Sequence, residues 1–200
     1  MYLGQGDVLA WAESSAVVFA NSVLGAKTNR NSGIIELFSG ILGKTPEFGF
    51  LTKEGRKAHW LVEIKTSKTP SAQVLGSAIG MKVMEDVPYI VGLDKYLGQG
   101  LNNDTEDYLK DMGAATASNG AVGLYHVEGI TLEAIADERN LLRDGYQTYI
   151  IDDAELERIV NNYRLDLTQA LGESYGDQVF EKNFVVQREQ LEKDWNFARF

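Results

Sequence analysis

Hydrophobic and polar residues along this chain follow the periods of helices and strands in turn. Helical periodicity and capping residues predict helices near residues 14 to 24, 32 to 42, 71 to 84, 104 to 112, 131 to 142 and 152 to 163. Short apolar runs between turn residues predict strands near 59 to 65, 88 to 93, 121 to 127 and 147 to 151. This alternation indicates an α/β fold that is three-layer-like, with a largely parallel central sheet.

The first predicted helix carries a polar stripe on an otherwise apolar surface. The stripe consists of Ser14, Ser15, Asn21 and Ser22. At about 100° per residue it spans roughly 120°, interrupted only by Val18. No charged residue lies between Ser14 and Leu24, which indicates a buried helix, with Ser14 as its N-cap and Gly25 as its C′ residue. Two interpretations stay open: one wall of a small-molecule site, or a close helix contact with hydroxyls bonded to helix carbonyls.

The loop from Gly25 to Gly33 brings two cations and several donors to the end of this helix. Arg30 could hold a carboxylate or phosphate as a bidentate fork, and Lys27 as a point charge. Thr28 and Asn29 add further hydrogen-bonding groups. The alternative role of the two cations is compensation of the helix dipole.

The runs 88 to 93 and 121 to 127 are both expected to be buried central strands. Further candidate site residues lie at the two ends of the second run. Ser118 and Asn119 precede that run, and His126 lies near its far end, where ligands usually meet such sheets. An imidazole there could bind substrate or move a proton near neutral pH. The alternative is a structural histidine. Strand alternation puts Glu128 on the same face, so the two could pair if the strand runs on past Val127.

Composition narrows the classes of partner. A formal net charge of -10 and a pI near 4.7 argue against general nucleic-acid binding. No apolar run is long enough for a membrane span and no secretion signal is recognised, so the expected location is cytoplasmic. No pair of histidines has metal-binding spacing, so no metal ligand is assigned. Residues 53 to 68 form a basic island, for which a solvated surface is expected and a phosphate track is the alternative. Its cations are Lys53, Arg56, Lys57, Lys65 and Lys68.

A longer pattern runs through several of these segments. Residues 10 to 30 read Ala-Trp-Ala-Glu-Ser-Ser-Ala-Val-Val-Phe-Ala-Asn-Ser-Val-Leu-Gly-Ala-Lys-Thr-Asn-Arg, and related stretches follow at 43 to 49, at Arg56, at 70 to 91 and at 113 to 134. Together they resemble the aconitase X family, of the phosphomevalonate and 3-hydroxyproline dehydratase type, over roughly residues 4 to 160. Members of that family eliminate water from small hydroxy acids with an iron-sulfur cluster.

The resemblance implies a fold, a ligand and a partner. Residues 1 to 164 are expected to form an aconitase-type α/β domain, and residues 165 to 200 a helical C-terminal segment outside the match. The ligand would be a small anionic hydroxy acid, and the partner a small swivelling subunit or domain. No catalytic residue is assigned. The expected substrate-binding residues are Ser14, Ser15, Asn21, Ser22, Thr28, Asn29, Arg30, Ser118, Asn119 and His126.

The chain departs from the family in one respect that affects the chemistry. It contains no cysteine, whereas the family holds its cluster with cysteine thiolates. This chain therefore cannot hold the cluster in that way, and the cluster is expected only in the complete family enzyme. Two hypotheses follow. The chain is a fragment or shortened relative of a dehydratase, incomplete for catalysis on its own, or it is a non-catalytic small-anion-binding or structural domain that keeps the fold.

Overall fold

Four parallel strands form the centre of the fold in the computed structural model, which describes residues 3 to 171. They are β1 (Ala58–Ile64), β2 (Pro88–Val91), β3 (His126–Val127) and β4 (Leu142–Ile151), in the order β3-β2-β1-β4. Trp60 pairs with Pro88 and with Gln147, and Tyr89 pairs with His126. The expected α/β class with a parallel sheet is confirmed.

Helices connect these strands. The described residues contain α1 (Ser14–Ser22), α2 (Gly33–Leu42), α3 (Ala72–Val83), α4 (Asp94–Leu97), α5 (Asn103–Gly120), α6 (Leu132–Asp137) and α7 (Asp153–Leu171). Short 3₁₀ turns lie at Gly49–Leu51, Glu54–Arg56 and Glu138–Leu141. A compact unit ends at Leu156. The predicted boundary between 164 and 165 stays a prediction, and residues 172 to 200 lie outside the described part.

Glycines allow α3 and α5 to pack closely. A Cβ at Gly76 would lie 2.3 Å from the carbonyl oxygen of Met112. A Cβ at Gly80 would lie 2.7 Å from that of Thr116, and one at Gly120 only 1.9 Å from that of Gly80. Side chains at these positions would force the two helices apart.

The predicted helix over 104 to 112 and the predicted strand over 121 to 127 are both wrong in extent. The run from Gly113 to Gly120 continues α5, because its small residues suit the contact with α3. Ala121 then ends the helix at φ 58°, and only His126–Val127 pair with β2. This strand lies at the edge of the sheet, so the expected central position is also wrong.

The predicted helix over 131 to 142 and the strands after it also differ from the structure. Helix α6 ends at Asp137, because Glu138 adopts φ 48°, which the helix cannot continue. Strand β4 starts at Leu142 rather than near 147. Strand β2 ends at Val91, because Gly92 turns the backbone at φ 87°. Among the described residues, no helix combines the length and apolarity needed to cross a bilayer.

Candidate functional site

A cleft of about 240 Å³ opens beside the loop that follows α1. Asn29, Arg30 and Asn31 form one side of it, and the 3₁₀ segment around Phe50 forms another. Glu85, between α3 and β2, completes the rim. Three separate segments of the chain therefore line the cleft around Arg30.

Arg30 is the cation of this cleft, and only part of its hydrogen-bonding capacity is used. Its Nη1 donates to the carbonyl oxygen of Ala121, and its Nη2 lies 3.4 Å from the carbonyl oxygen of Glu85. The guanidinium lies 5.8 Å from the centre of the Phe50 ring and 3.8 Å from the carboxylate of Glu85. The Glu85 side chain is 79% exposed, so it can move away and leave the guanidinium to an anion.

Two glycines make room for this arrangement. A Cβ at Gly123 would lie 2.6 Å from the Phe50 ring and 2.7 Å from Cδ of Arg30. At Gly49 the backbone has φ 53°, and a Cβ would lie 2.6 Å from Oδ1 of Asn29. The shape of the cleft thus depends on positions that no other residue fits without movement.

Asn29 lines the cleft, but its amide is engaged in shaping the wall. Its Nδ2 donates to the carbonyl oxygen of Phe48 at 3.0 Å, and its Oδ1 accepts from the backbone N–H of Phe50 at 2.8 Å. The side chain is buried. Asn29 therefore holds the 3₁₀ segment against the loop that carries Arg30.

The inner part of the polar stripe faces backbone groups. Asn21 donates to the carbonyl oxygens of Thr28 and Gly123 at 2.8 and 2.9 Å, and its Oδ1 accepts from the N–H of Thr28. Ser22 Oγ accepts from the N–H of Tyr125 at 2.9 Å. These bonds fasten α1 and its loop to the segment before β3. They favour the close-contact interpretation, although the partners belong to other segments than the helix itself.

Thr28 has a buried hydroxyl that lacks a hydrogen-bond partner among the described residues. Its backbone N–H and carbonyl groups are both bonded to Asn21. The side chain therefore lies inside the fold and away from the cleft rim, which Asn29 and Arg30 form.

The outer part of the stripe belongs to the start of α1. Glu13, rather than the predicted Ser14, is the N-cap, because its carboxylate accepts from the N–H groups of Ser15 and Ala16 at 2.9 and 2.6 Å. The hydroxyl of Ser15 also donates to Glu13. The Ser15 hydroxyl first, and then these two N–H groups, lower the pKa of Glu13. Ser14 is exposed.

Arg56 is buried, so the prediction that it lies on a solvated surface is wrong. Its Nε donates to both carboxylate oxygens of Glu133, at 2.7 and 3.0 Å. Its Nη1 donates to Asn21 Oδ1 and to the carbonyl oxygen of Phe50, and its Nη2 to the carbonyl oxygen of Asn21. This side chain links α1, the cleft segment and α6 from inside the fold.

His126 belongs to the same buried cluster. Its Nε2 donates to the carbonyl oxygen of Arg56 at 2.8 Å, and its Nδ1 lies 3.6 Å from Glu133 Oε2. Burial lowers the pKa of the imidazole. The Arg56 carbonyl and the Glu133 carboxylate raise that pKa, but their effect is smaller than that of burial. The strand ends at Val127, so the condition for a pair with Glu128 is not met, and Glu128 forms an ion pair with Arg139 at 2.9 Å instead.

Ser118 and Asn119 lie on the last turn of α5 rather than in a loop before a strand. Ser118 is exposed. Asn119 donates to Ser77 Oγ on α3 at 3.1 Å and to the carbonyl oxygen of Ala115. Of the ten predicted substrate-binding residues, only Asn29 and Arg30 line the cleft. A substrate-binding role for the set stays a prediction.

The sequence alone did not indicate several residues of the cleft and of the buried cluster around Arg56 and His126. Phe50 and Glu85 line the cleft, and no periodicity marks them. Glu133 is the carboxylate partner of Arg56 and His126, but in sequence it is an ordinary acidic residue in the first turn of a helix. A buried arginine within a basic run carries no local signal that separates it from its exposed neighbours.

The residues present do not fit an iron-sulfur cluster. The sequence contains no cysteine. Among the side chains that the structure describes, no three of His, Cys, Asp or Glu converge to hold a metal ion. The partly exposed guanidinium of Arg30 brings a positive charge and hydrogen-bond donors to the cleft.

Comparison with known families shows that the chain belongs to the aconitase X family. Residues 3–54 match the model for the aconitase X first domain, and residues 58–161 match that for the second domain. The chain is similar to the phosphomevalonate dehydratase large subunit of Thermococcus kodakarensis, with 39% identity over 163 residues. This match covers 80% of the chain and 39% of the relative.

Other relatives extend the comparison. The cis-3-hydroxy-L-proline dehydratase of Hypocrea jecorina is 30% identical over 161 residues, which cover 78% of this chain and 26% of that protein. A crystal structure of the holo form of aconitase X from Thermococcus kodakaraensis has a TM-score of 0.68 and 38% sequence identity. That match covers 80% of this chain and 39% of the solved one. The chain thus spans about two fifths or less of the relatives named here.

Proposed function

We propose that this chain forms the anion-binding part of a dehydratase that acts on a small hydroxy acid. The observation that carries the proposal is the cleft in which the partly exposed Arg30 meets Phe50 and Glu85. The relatives are dehydratases of phosphomevalonate and of cis-3-hydroxy-L-proline. Both substrates are acids that a guanidinium can hold through a carboxylate.

In this function, Arg30 binds and orients the anionic end of the substrate. Phe50 packs beside the guanidinium and removes water from one side, which strengthens its attraction for a carboxylate. Glu85 moves away when the ligand enters, because two carboxylates cannot share one guanidinium without repulsion. The elimination itself needs groups outside this chain, including the family's cluster. A cytoplasmic location and a small swivelling subunit or domain are part of the proposal, and the relatives named as large subunits support the latter.

Calorimetric titration with phosphomevalonate and with cis-3-hydroxy-L-proline tests the proposal. We expect Arg30→Ala to weaken binding at least about tenfold, because a hydrogen-bonded charge pair contributes about 1.5–3 kcal/mol. Lys53→Ala is the matched control, since Lys53 is an exposed cation outside the lining of the cleft. Thermal unfolding of both variants establishes that each is folded. Equal affinities of the two variants would overturn the proposal.

A second function has its own support: a non-catalytic domain that binds small anions or serves a structural role. Asn21, Ser22 and Asn29 are bonded to backbone groups, and the sequence has no cysteine. Intact mass and iron content of the protein, purified anaerobically from the organism that makes it, distinguish the two functions. A longer species with iron and dehydratase activity supports the first, whereas an iron-free, inactive 200-residue protein supports the second.

A further inference from the structure

His59 lines the cleft, but the proposed function gives it no role. Its Nε2 accepts a hydrogen bond from Nη1 of Arg143 on β4, because an arginine side chain can only donate. Its Nδ1 lies 3.8 Å from Oδ1 of Asp86. His59 therefore ties the guanidinium of Arg143 to the wall of the cleft.

A bulge in β4 brings Arg143 to this place. The pairing of β4 with β1 shifts register here: four residues of β4, 143 to 146, lie opposite a single residue of β1, which is His59. Gly145 turns the backbone of this stretch at φ 76°. Bulges change the direction of side chains and are frequent beside binding sites. The irregular strand thus presents an arginine to a residue that lines the cleft.

Arg143 retains hydrogen-bond donors for a ligand. Its side chain is 42% exposed, and its Nη2 lies 3.5 Å from Oε1 of Glu54. The Glu54 side chain is 64% exposed, so water screens this ion pair and an anion can replace it. Among the residues that the structure describes, Nε of Arg143 has no hydrogen-bond partner.

The turn between α3 and β2 places a carboxylate beside each of the two cationic ends of the cleft. A carboxylate oxygen of Glu85 lies 3.8 Å from Nη2 of Arg30, and one of Asp86 lies 3.8 Å from Nδ1 of His59. The Cα atoms of consecutive residues are about 3.8 Å apart. Arg30 and the pair of His59 with Arg143 therefore lie within reach of one small ligand.

We propose that Arg143, positioned by His59, binds a phosphoryl group of the ligand whose carboxylate Arg30 binds. A phosphoryl group offers three acceptor oxygens and up to about two negative charges, and a guanidinium can bind it through two parallel N–H groups. The inference rests on the proposed function, because it uses the same cleft. It goes beyond that function by naming the residue that distinguishes a phosphorylated acid from an unphosphorylated one.

Calorimetric titration of the whole chain with mevalonate and phosphomevalonate tests the inference, because these acids differ by one phosphoryl group. We expect phosphomevalonate to bind at least about tenfold more tightly. Arg143→Gln should remove this preference and leave the affinity for mevalonate unchanged. Arg139→Gln is the matched control, since Arg139 is 61% exposed, pairs with Glu128 and lies outside the lining of the cleft. It should keep the preference.

Two variants of His59 test its positioning role. His59→Ala removes the acceptor that holds Arg143, and we expect the preference for the phosphorylated acid to fall severalfold. His59→Gln supplies an amide oxygen that can accept from the same guanidinium, so it should restore most of the preference. Both His59 and Arg143 are partly exposed, so the fold should tolerate these changes, which thermal unfolding checks. An equal loss in both variants would overturn the positioning role.

The outcomes separate this inference from the proposed function. Equal affinities of the unchanged chain for the two acids, or a preference that persists in Arg143→Gln, would overturn the inference alone. Arg30→Ala should weaken the binding of both acids by the same factor. An unchanged affinity for both in that variant would overturn the role of Arg30 alone. A chain that binds neither acid would overturn both proposals.

Discussion

Two arginines in this molecule show how the same side chain takes opposite roles. Arg30 lies at the rim of a cleft, one third of its side chain is exposed, and its ionic partner is an exposed surface glutamate. Arg56 is buried and bonded to a carboxylate, an amide and two backbone carbonyls. Arg30 has donors that reach the cleft, whereas the guanidinium of Arg56 is enclosed inside the fold. The proposed anion binding therefore depends on accessible donors rather than on charge alone.

Removal of Arg56 is expected to have the largest effect. Arg56→Ala removes the charged partner of the Glu133 carboxylate inside the fold, which should lower the free energy of unfolding by about 3–5 kcal/mol. Arg30→Ala should cost at most about 1 kcal/mol, because its ion pair is largely solvated. Urea denaturation of both variants measures the difference. Similar losses of unfolding free energy in the two variants would contradict the assignment of a structural role to Arg56 and a binding role to Arg30.

The walls of the cleft provide a smaller test. Gly49→Ala places a Cβ against Asn29 Oδ1 at a positive φ, and we expect a loss of about 2 kcal/mol in stability together with weaker anion binding. Gly43→Ala is the matched control, with φ 62° and nothing within 4 Å of the added Cβ. It should cost about 1 kcal/mol and leave binding unchanged. Unchanged anion affinity in Gly49→Ala would contradict the role of this glycine in the cleft.

The smallest expected effect is a pH dependence of the buried cluster. The pKa of His126 is lower in the folded state because of burial, so the unfolded chain takes up the proton first as pH falls. Its contribution to stability is thus complete above about pH 6.5 and falls below it, by at most about 1.4 kcal/mol per pH unit. His126→Gln should flatten this part of the profile, measured by urea denaturation between pH 7.5 and 5.5. An equally steep or steeper loss in the variant would contradict the assignment of this pH dependence to His126.

The sequence predicted those features that depend on local pattern. Periodicity predicted α1, α2, α3, β1 and β2. The family resemblance is confirmed over most of the described residues.

Features that depend on distant contacts could not be predicted in the same way. The small-residue run after Gly113 is helical because α3 packs against it, and single-sequence pattern contains no record of that neighbour. The same holds for the burial of Arg56, which depends on Glu133 at a separation of 77 residues. Polarity placed Asn21 and Ser22 in a ligand site, whereas their partners are backbone groups about a hundred residues later.

Those long-range bonds have a consequence for how the chain is made. The segment around Asn21 and Ser22 bonds to residues 102 and 103 positions further on. A ribosome releases the N-terminus first, so α1 and the Arg30 loop must wait for the strand-edge segment near Tyr125 before they reach their final positions. The apolar residues of α1 therefore stay exposed until the segment near Tyr125 has left the ribosome. The loop that carries Arg30 reaches its final position late, although it precedes that segment in the sequence.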